Sequence, residues 1–178
     1  MGDNTILQWD PNSILKWSDF QAESNPALYE DSHSVIKYSF TWTVDSDKIN
    51  DEIIFLIKDI RIFVDFHHLL SWARLSEVDD LLLKHEQGKF DLAELVKQEN
   101  IKNIHDLFYN KPFPVRGQNE EQRKQFAKED SGKMINTEIE KLTQIFDEKC
   151  LIYQSETNFG KNLEVQTKYN LIFNRLHL

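Results

Sequence analysis

The chain has 178 residues, of which 40% are hydrophobic and 29% charged, with only five glycines and four prolines. This length and composition predict a single folded domain and argue against disorder. The formal net charge is -9 and the pI is near 5.1. An acidic chain would be repelled by phosphates, so we expect neither nucleic acid nor an anionic membrane as a partner.

Cysteine content and hydropathy limit the chain further. Cys150 is the only cysteine, which excludes an intrachain disulfide and a zinc site built from several thiolates. Its apolar neighbours at helical spacing predict a small buried side chain. No apolar run reaches about 18 residues and residues 1–4 lack a signal-peptide pattern, so we expect neither a membrane span nor a leader here. The compartment stays open.

The N-terminal half has the periodicity of β-strands. Residues 35–44 alternate between polar side chains and the apolar Ile36, Tyr38, Phe40, Trp42 and Val44, which predicts a strand with one buried face. Residues 60–66 repeat the alternation and predict an antiparallel neighbour. The apolar run 53–57 fits either a strand or a buried helix, and residues 45–47 predict a turn.

Three helical patterns follow the strands. Ser76 is a candidate N-cap for a helix that reaches about residue 100, and carboxylates occupy its first turn. A long pattern covers about residues 119–153, with Gly132 as a candidate kink, and a last one covers about residues 162–176. This order predicts an α+β domain, in which a small antiparallel sheet packs against the first helix and two C-terminal helices. A looser mixed fold is the alternative.

The first predicted helix carries a sequence motif similar to one that binds a catalytic metal ion. His85-Glu86-Gln87-Gly88-Lys89 resembles the metallopeptidase motif H-E-x-x-H, with Lys89 in place of the second histidine. In the intact motif the two histidines bind zinc from one helix face, and the glutamate activates the zinc-bound water. A lysine ammonium offers no lone pair to a metal and repels a cation.

Four blocks in the chain point to one family. They are the run L-K-H-E-Q-G-K-F-D-L-A-E-L at 83–95, W-S-D-F-Q at 17–21, V-D-F at 64–66 with S-W at 71–72, and Y-Q-S-E-T-N-F-G at 153–160 followed by Asn162, Gln166 and Asn170. In content and order they resemble the bacterial family called domain of unknown function 922, classed as zinc-dependent proteases from an H-E-Q-x-H-F motif. The resemblance implies a metallopeptidase-like fold, and the family is often secreted.

The chain departs from that family where the metal would bind. Lys89 replaces the second histidine of the helix, and Phe159 replaces the histidine of the T-x-H-G segment, a candidate third ligand. Gln154 replaces the aspartate of the Y-D pair. Only His85 and Glu86 remain, as a vestigial metal ligand and a vestigial general base. A single imidazole does not hold zinc against water and competing chelators.

The remaining histidines offer few substitute ligands. His67 and His68 are adjacent in a predicted strand and would point to opposite faces, so at most one could reach a shared site. His33, His105 and His177 have no ligand spacing and are interpreted as surface histidines.

Three functions are compatible with these residues. The leading hypothesis is a pseudoenzyme that has lost catalytic zinc and binds an unknown protein or peptide in the former cleft, with Lys89 paired to Glu86 or Glu156. The alternative is an active metal-dependent peptidase with a noncanonical metal site. Its ligands would be His85 and carboxylates from among Glu86, Asp91, Glu94 and Glu156. The third is a purely structural module.

The ligand count predicts the zinc content of the protein. We expect the purified, untagged chain to hold well below one zinc ion, because the motif supplies one conventional ligand where three are usual. Elemental analysis after dialysis against a mild chelator measures this directly. Stoichiometric zinc that survives the dialysis would contradict the prediction.

Overall fold

The computed structural model describes residues 4–178. Residues 1–3, which belong to the segment that lacks a signal-peptide pattern, lie outside the described part. Its main sheet is antiparallel. The strands β1 (Ile6–Gln8), β4 (Glu52–His67) and β3 (Ile36–Ile49) follow one another across it, and β6 (Phe113–Pro114) also pairs with β4. A second small sheet joins β2 (Ser32–His33) to β5 (Trp72–Ala73).

The two long strands form one hairpin, which confirms the predicted antiparallel pair. Their pairing extends from Ile36 opposite Phe66 to Ile49 opposite Glu52. The turn predicted at residues 45–47 is wrong, since these residues continue β3. The chain reverses instead at Asn50 and Asp51, whose φ angles are 50° and 66°. Asn and Asp tolerate this left-handed conformation, as a two-residue hairpin turn requires. The ambiguous run 53–57 belongs to β4.

The three helices lie close to the predicted positions but have different ends. They are α1 (Asp80–Phe108), α2 (Glu120–Thr157) and α3 (Leu163–Asn174), which a short 3-10 turn, Arg175–His177, extends. The predicted cap Ser76 is wrong. Asp79 caps α1, because its carboxylate accepts a hydrogen bond from the backbone N–H of Leu82 at 2.9 Å. α2 continues through Gly132 as one helix, and the Trp42 ring lies against that glycine.

The helices cover one face of the sheet, as predicted for an α+β fold. α1 packs against β4, α2 and α3, so the middle of α1 is enclosed on several sides. The buried core contains Phe55, Phe66, Phe90, Val96 and Ile135. The prediction of a buried Cys150 is wrong, since this side chain is half-buried. No helix between residues 4 and 178 has both the length and the apolar character needed to cross a membrane.

Gly88 allows the close approach of α2 to α1. A Cβ atom on Gly88 would lie 2.1 Å from the hydroxyl oxygen of Tyr153, which is closer than two such atoms can approach. The missing side chain therefore admits the Tyr153 phenol beside the motif. The fold thus brings the end of α2 against the part of α1 that carries His85.

Candidate functional site

His85 lies in an enclosed site between α1, α2 and α3. Its side chain is fully buried, and its imidazole stacks on the Tyr153 ring with centroids 4.6 Å apart and planes 7° from parallel. Its Nδ1 lies 3.1 Å from Oε1 of Gln166 and 3.3 Å from Oγ1 of Thr157. The side-chain amide Nε2 of Gln166 in turn donates a 2.9 Å hydrogen bond to Oδ1 of Asn170.

These contacts determine which imidazole nitrogen carries the proton. The Thr157 hydroxyl donates to the carbonyl of Tyr153 at 2.6 Å, so its oxygen is left to accept from His85. The Oε1 atom of Gln166 is also an acceptor. Nδ1 is therefore the protonated nitrogen, and Nε2 keeps a lone pair. Nε2 is buried without a hydrogen-bond partner in the described part of the chain.

The electrostatics of the site keep this imidazole neutral. Burial lowers the pKa of His85 to about 4, and the neighbouring Lys89 ammonium acts in the same direction. The opposing effects of Glu86 and Gln166 are smaller. His85 therefore stays uncharged at neutral pH, with its basic nitrogen unused.

Glu86 and Lys89 lie about one helical turn apart on α1 and form a buried ion pair. Nζ of Lys89 lies 3.2 Å from Oε1 of Glu86, and both side chains are almost fully buried. Ser32 donates to the same oxygen at 2.7 Å, and Ser34 donates to Oε2 at 2.6 Å. Burial alone would raise the pKa of Glu86, but the Lys89 charge and the two hydroxyl groups outweigh it and hold the pKa below its ordinary value.

Phe159, which replaces the candidate third ligand, lies beside His85. The ring centroids are 5.9 Å apart. The segment that follows α2 bends sharply, since the φ angles of Asn158, Phe159 and Gly160 are 47°, 54° and 86°. A phenylalanine in the left-handed region is uncommon, whereas histidine occurs there more often. A Cβ atom on Gly160 would lie 3.1 Å from Cβ of His85, so this bend also packs directly on the motif.

The carboxylates proposed as alternative metal ligands have other partners. Asp91 accepts from the indole of Trp9 and contacts His177, each at 2.9 Å. Glu94 lies 2.7 Å from the ammonium of Lys97, and Glu156 accepts a 2.5 Å hydrogen bond from the hydroxyl group of Tyr169. Among residues 4–178 no group of three His, Cys, Asp or Glu side chains is placed to hold a metal ion. The residues present do not fit a zinc site.

Two of the histidines interpreted as surface residues are half-buried instead. His177 bridges the carbonyl of Pro11 at 2.7 Å and the carboxylate of Asp91 at 2.9 Å. His105 stacks on Tyr109 and lies 3.2 Å from the carbonyl of Ile60. Only His33 is exposed as predicted. The sequence signal for His177 was its position directly after the last helical pattern, which is too weak to indicate a partner.

Gln87 and Asp91 attach the N-terminal segment to α1. The Gln87 side chain accepts from the backbone N–H of Leu15 at 2.7 Å and donates to the carbonyl of Ser13 at 3.1 Å. It also donates to Asp91 at 3.0 Å. These two motif residues are thus structural, and they lie on the side of α1 away from His85 and Lys89.

A cavity of about 410 Å³ opens next to the buried pair. Ser32 and Gly160 form part of its wall, and both also contact the Glu86 and His85 side of α1. Phe159 and Leu81 expose apolar surface to it. The motif is therefore separated from an open, partly apolar cavity by one layer of side chains.

No protein-family model, curated protein or solved structure matches this chain. The site is therefore interpreted from its own geometry: a neutral histidine with a free nitrogen, a buried ion pair and an adjoining cavity.

The low pKa of His85 predicts a pH-dependent stability. The pKa is about 4 in the folded chain against 6.5 ordinarily, so the unfolded chain takes up the proton first as the pH falls. The stability from this group is complete above pH 6.5 and decreases as the pH falls to about 4. The whole loss is about 3 kcal/mol, at 1.36 kcal/mol for each unit of pKa shift.

Urea unfolding of the wild type and of His85→Gln between about pH 4.5 and pH 7.5 measures this effect. We expect the variant to be less stable at neutral pH but to lose less stability on acidification. The exposed His33→Gln is the matched control and should keep the wild-type slope. Equal slopes for wild type and His85→Gln would contradict the prediction.

Proposed function

We propose that the chain is a metallopeptidase-like domain that has lost its catalytic zinc and binds a peptide in the cavity beside the former metal site. The observation that carries the proposal is the position of the Lys89 ammonium. It lies inside the protein, 3.2 Å from the carboxylate of Glu86, at the motif position of a metal-binding histidine. A fixed cation thus compensates the carboxylate where the motif would bring a metal ion.

Glu86 is poorly suited to act as a general base here. Both of its oxygen atoms accept hydrogen bonds, and its side chain is 1% exposed, so a substrate has no access to it. A general base works best when its pKa is close to the working pH, whereas the pKa of Glu86 is below its ordinary value. These features argue against general-base catalysis by Glu86.

The surroundings of His85 support descent from a metal site. Metal-binding histidines usually donate one ring N–H to a fixed acceptor and bind the metal through the other nitrogen. Thr157 and Gln166 supply such acceptors, and Nε2 keeps the free lone pair. The orienting contacts of a ligand are thus present although its partner ligands are absent. The carboxylates of the alternative peptidase hypothesis are engaged elsewhere, and no observation favours that activity.

Restoring two histidines tests the metal-site half of the proposal. We expect Lys89→His alone to bind zinc weakly, because it provides two imidazoles, and Lys89→His with Phe159→His to bind measurably tighter, because it provides three. The two effects should be non-additive, since neither new ligand binds tightly alone. The left-handed backbone at Phe159 accommodates histidine, so the second change should not unfold the chain.

Calorimetric zinc titration of both single variants and the double variant measures these affinities. Lys84→His, on the exposed surface of the same helix, replaces the same residue type outside the site and serves as the matched control. Circular dichroism verifies that each variant is folded. A folded double variant that binds zinc no better than the better single variant would rule out an ancestral site at these positions.

Peptide enrichment tests the binding half. We expect the immobilised chain to retain intact peptides from a synthetic pool of random octapeptides, and added zinc to produce no cleavage. Leu81→Lys places a positive charge on the apolar wall of the cavity and should abolish retention, whereas Leu171→Lys, at an exposed site on α3, should not. Mass spectrometry identifies retained and cleaved peptides. Cleavage, or equal retention by wild type and Leu81→Lys, would refute the proposal.

A further inference from the structure

The cavity has a size suited to side chains of a bound peptide. It lies between residues 29–32, the beginning of α1 and the bend after α2, and its volume of about 410 Å³ falls in the usual range for ligand sites. Three apolar side chains are exposed along it. Leu81 is 49% exposed, Phe159 is 37% exposed, and Tyr29 is fully open to solvent. Such surface, set in a concave wall, is typical of binding sites rather than of ordinary protein surface.

The charged groups around the cavity are mostly acidic. Four carboxylates and one ammonium group line it: Glu30, Asp31, Glu77, Asp79 and Lys161. Two of these carboxylates are partly compensated, since Asp79 caps α1 and Asp31 lies 3.5 Å from the guanidinium of Arg74.

The other two carboxylates, Glu30 and Glu77, have no cationic partner among residues 4–178. A concave wall with low dielectric concentrates their field, so a cation is attracted more strongly there than on a flat surface. The net charge of the whole chain, -9, adds to the attraction.

We propose, on the basis of the peptide-binding function above, that the cavity selects an extended peptide with a lysine or arginine next to an aliphatic side chain. The aliphatic side chain packs on Leu81 and Phe159, and the cationic side chain lies between Glu30 and Glu77. A bare metal ion would match only the carboxylates and would leave the apolar wall without a partner. A neutral apolar peptide would leave the carboxylates without one. A basic and aliphatic peptide satisfies both parts of the wall.

Four labelled octapeptides with the same scaffold test the proposal on the full chain. The first contains two leucines alternating with two lysines, the second replaces the lysines by glutamates, the third replaces the lysines by serines, and the fourth replaces the leucines by serines. We expect fluorescence anisotropy to show the first peptide binding roughly 3–10-fold tighter than either serine-containing peptide and the glutamate peptide binding weakest, because surface charge pairs and buried aliphatic groups each contribute only modestly.

Charge-removing variants locate the interaction. Glu30→Gln with Glu77→Gln should weaken binding of the first peptide roughly 3–10-fold and reduce the salt dependence of its affinity. Glu120→Gln with Glu121→Gln makes the same change of net charge on the exposed beginning of α2, and it should leave the affinity unchanged. These carboxylates are exposed or half-buried, so the variants should fold.

The outcomes separate this inference from the proposed function. If the serine-for-lysine peptide binds as tightly as the first, the charge preference is wrong while peptide binding stands. If the serine-for-leucine peptide binds as tightly, or both carboxylate pairs matter equally, the attraction is nonspecific and the inference is overturned. If none of the four binds and the random pool shows no retention, the proposed function is lost as well.

Discussion

The ion pair between Lys89 and Glu86 is the contact on which the rest of the site depends. Removing one partner of a buried pair leaves an uncompensated charge inside the protein, which costs about 3–5 kcal/mol. Each of the two residues is therefore needed to compensate the buried charge of the other. Glu86 also accepts hydrogen bonds from Ser32 and Ser34, so the pair fastens β2 and the residue that follows it to the second turn of α1. Ser32 belongs to the cavity wall, and the shape of the cavity thus follows from the pair.

The same pair determines the state of His85. A second positive charge next to the Lys89 ammonium would be unfavourable in a low-dielectric interior, and burial opposes protonation as well. His85 can remain there only as a neutral ring. The Tyr153 ring then stacks on His85, and Gln166 accepts a hydrogen bond from its Nδ1. Nε2 has no hydrogen-bond partner among the described residues. Lys89 is a buried, compensated cation, and a metal ion bound at this site would require Lys89 to leave or lose its proton.

Much of the fold follows from local patterns, whereas the site follows only in part. The alternation in β3 and β4 predicted their pairing, but two left-handed residues, Asn50 and Asp51, decide the turn. On α1, the motif spacing places His85 and Lys89 one turn apart on one face, and both are buried. The burial of Asp91 and Glu94 was not predicted. A periodicity argument assumes that a helix has one buried face, whereas α1 is covered on several sides. Their angular offsets from His85, roughly 240° and 180° at 100° per residue, do exclude a shared ion.

The cavity wall could not be predicted because it is built from irregular backbone. The guanidinium of Arg74 donates to the carbonyls of Asn25 and Leu28, at 2.9 and 2.5 Å, and to that of Glu30. These contacts join residues distant in sequence and leave no periodic trace. They also direct the charge of Arg74 mainly to the backbone, with only Asp31 near it among the carboxylates of the wall. The dipole at the beginning of α1 is equivalent to roughly half a positive charge. It offsets only part of the negative charge of the carboxylates in the wall. The wall therefore keeps a net negative potential, which is the physical basis for a cationic ligand.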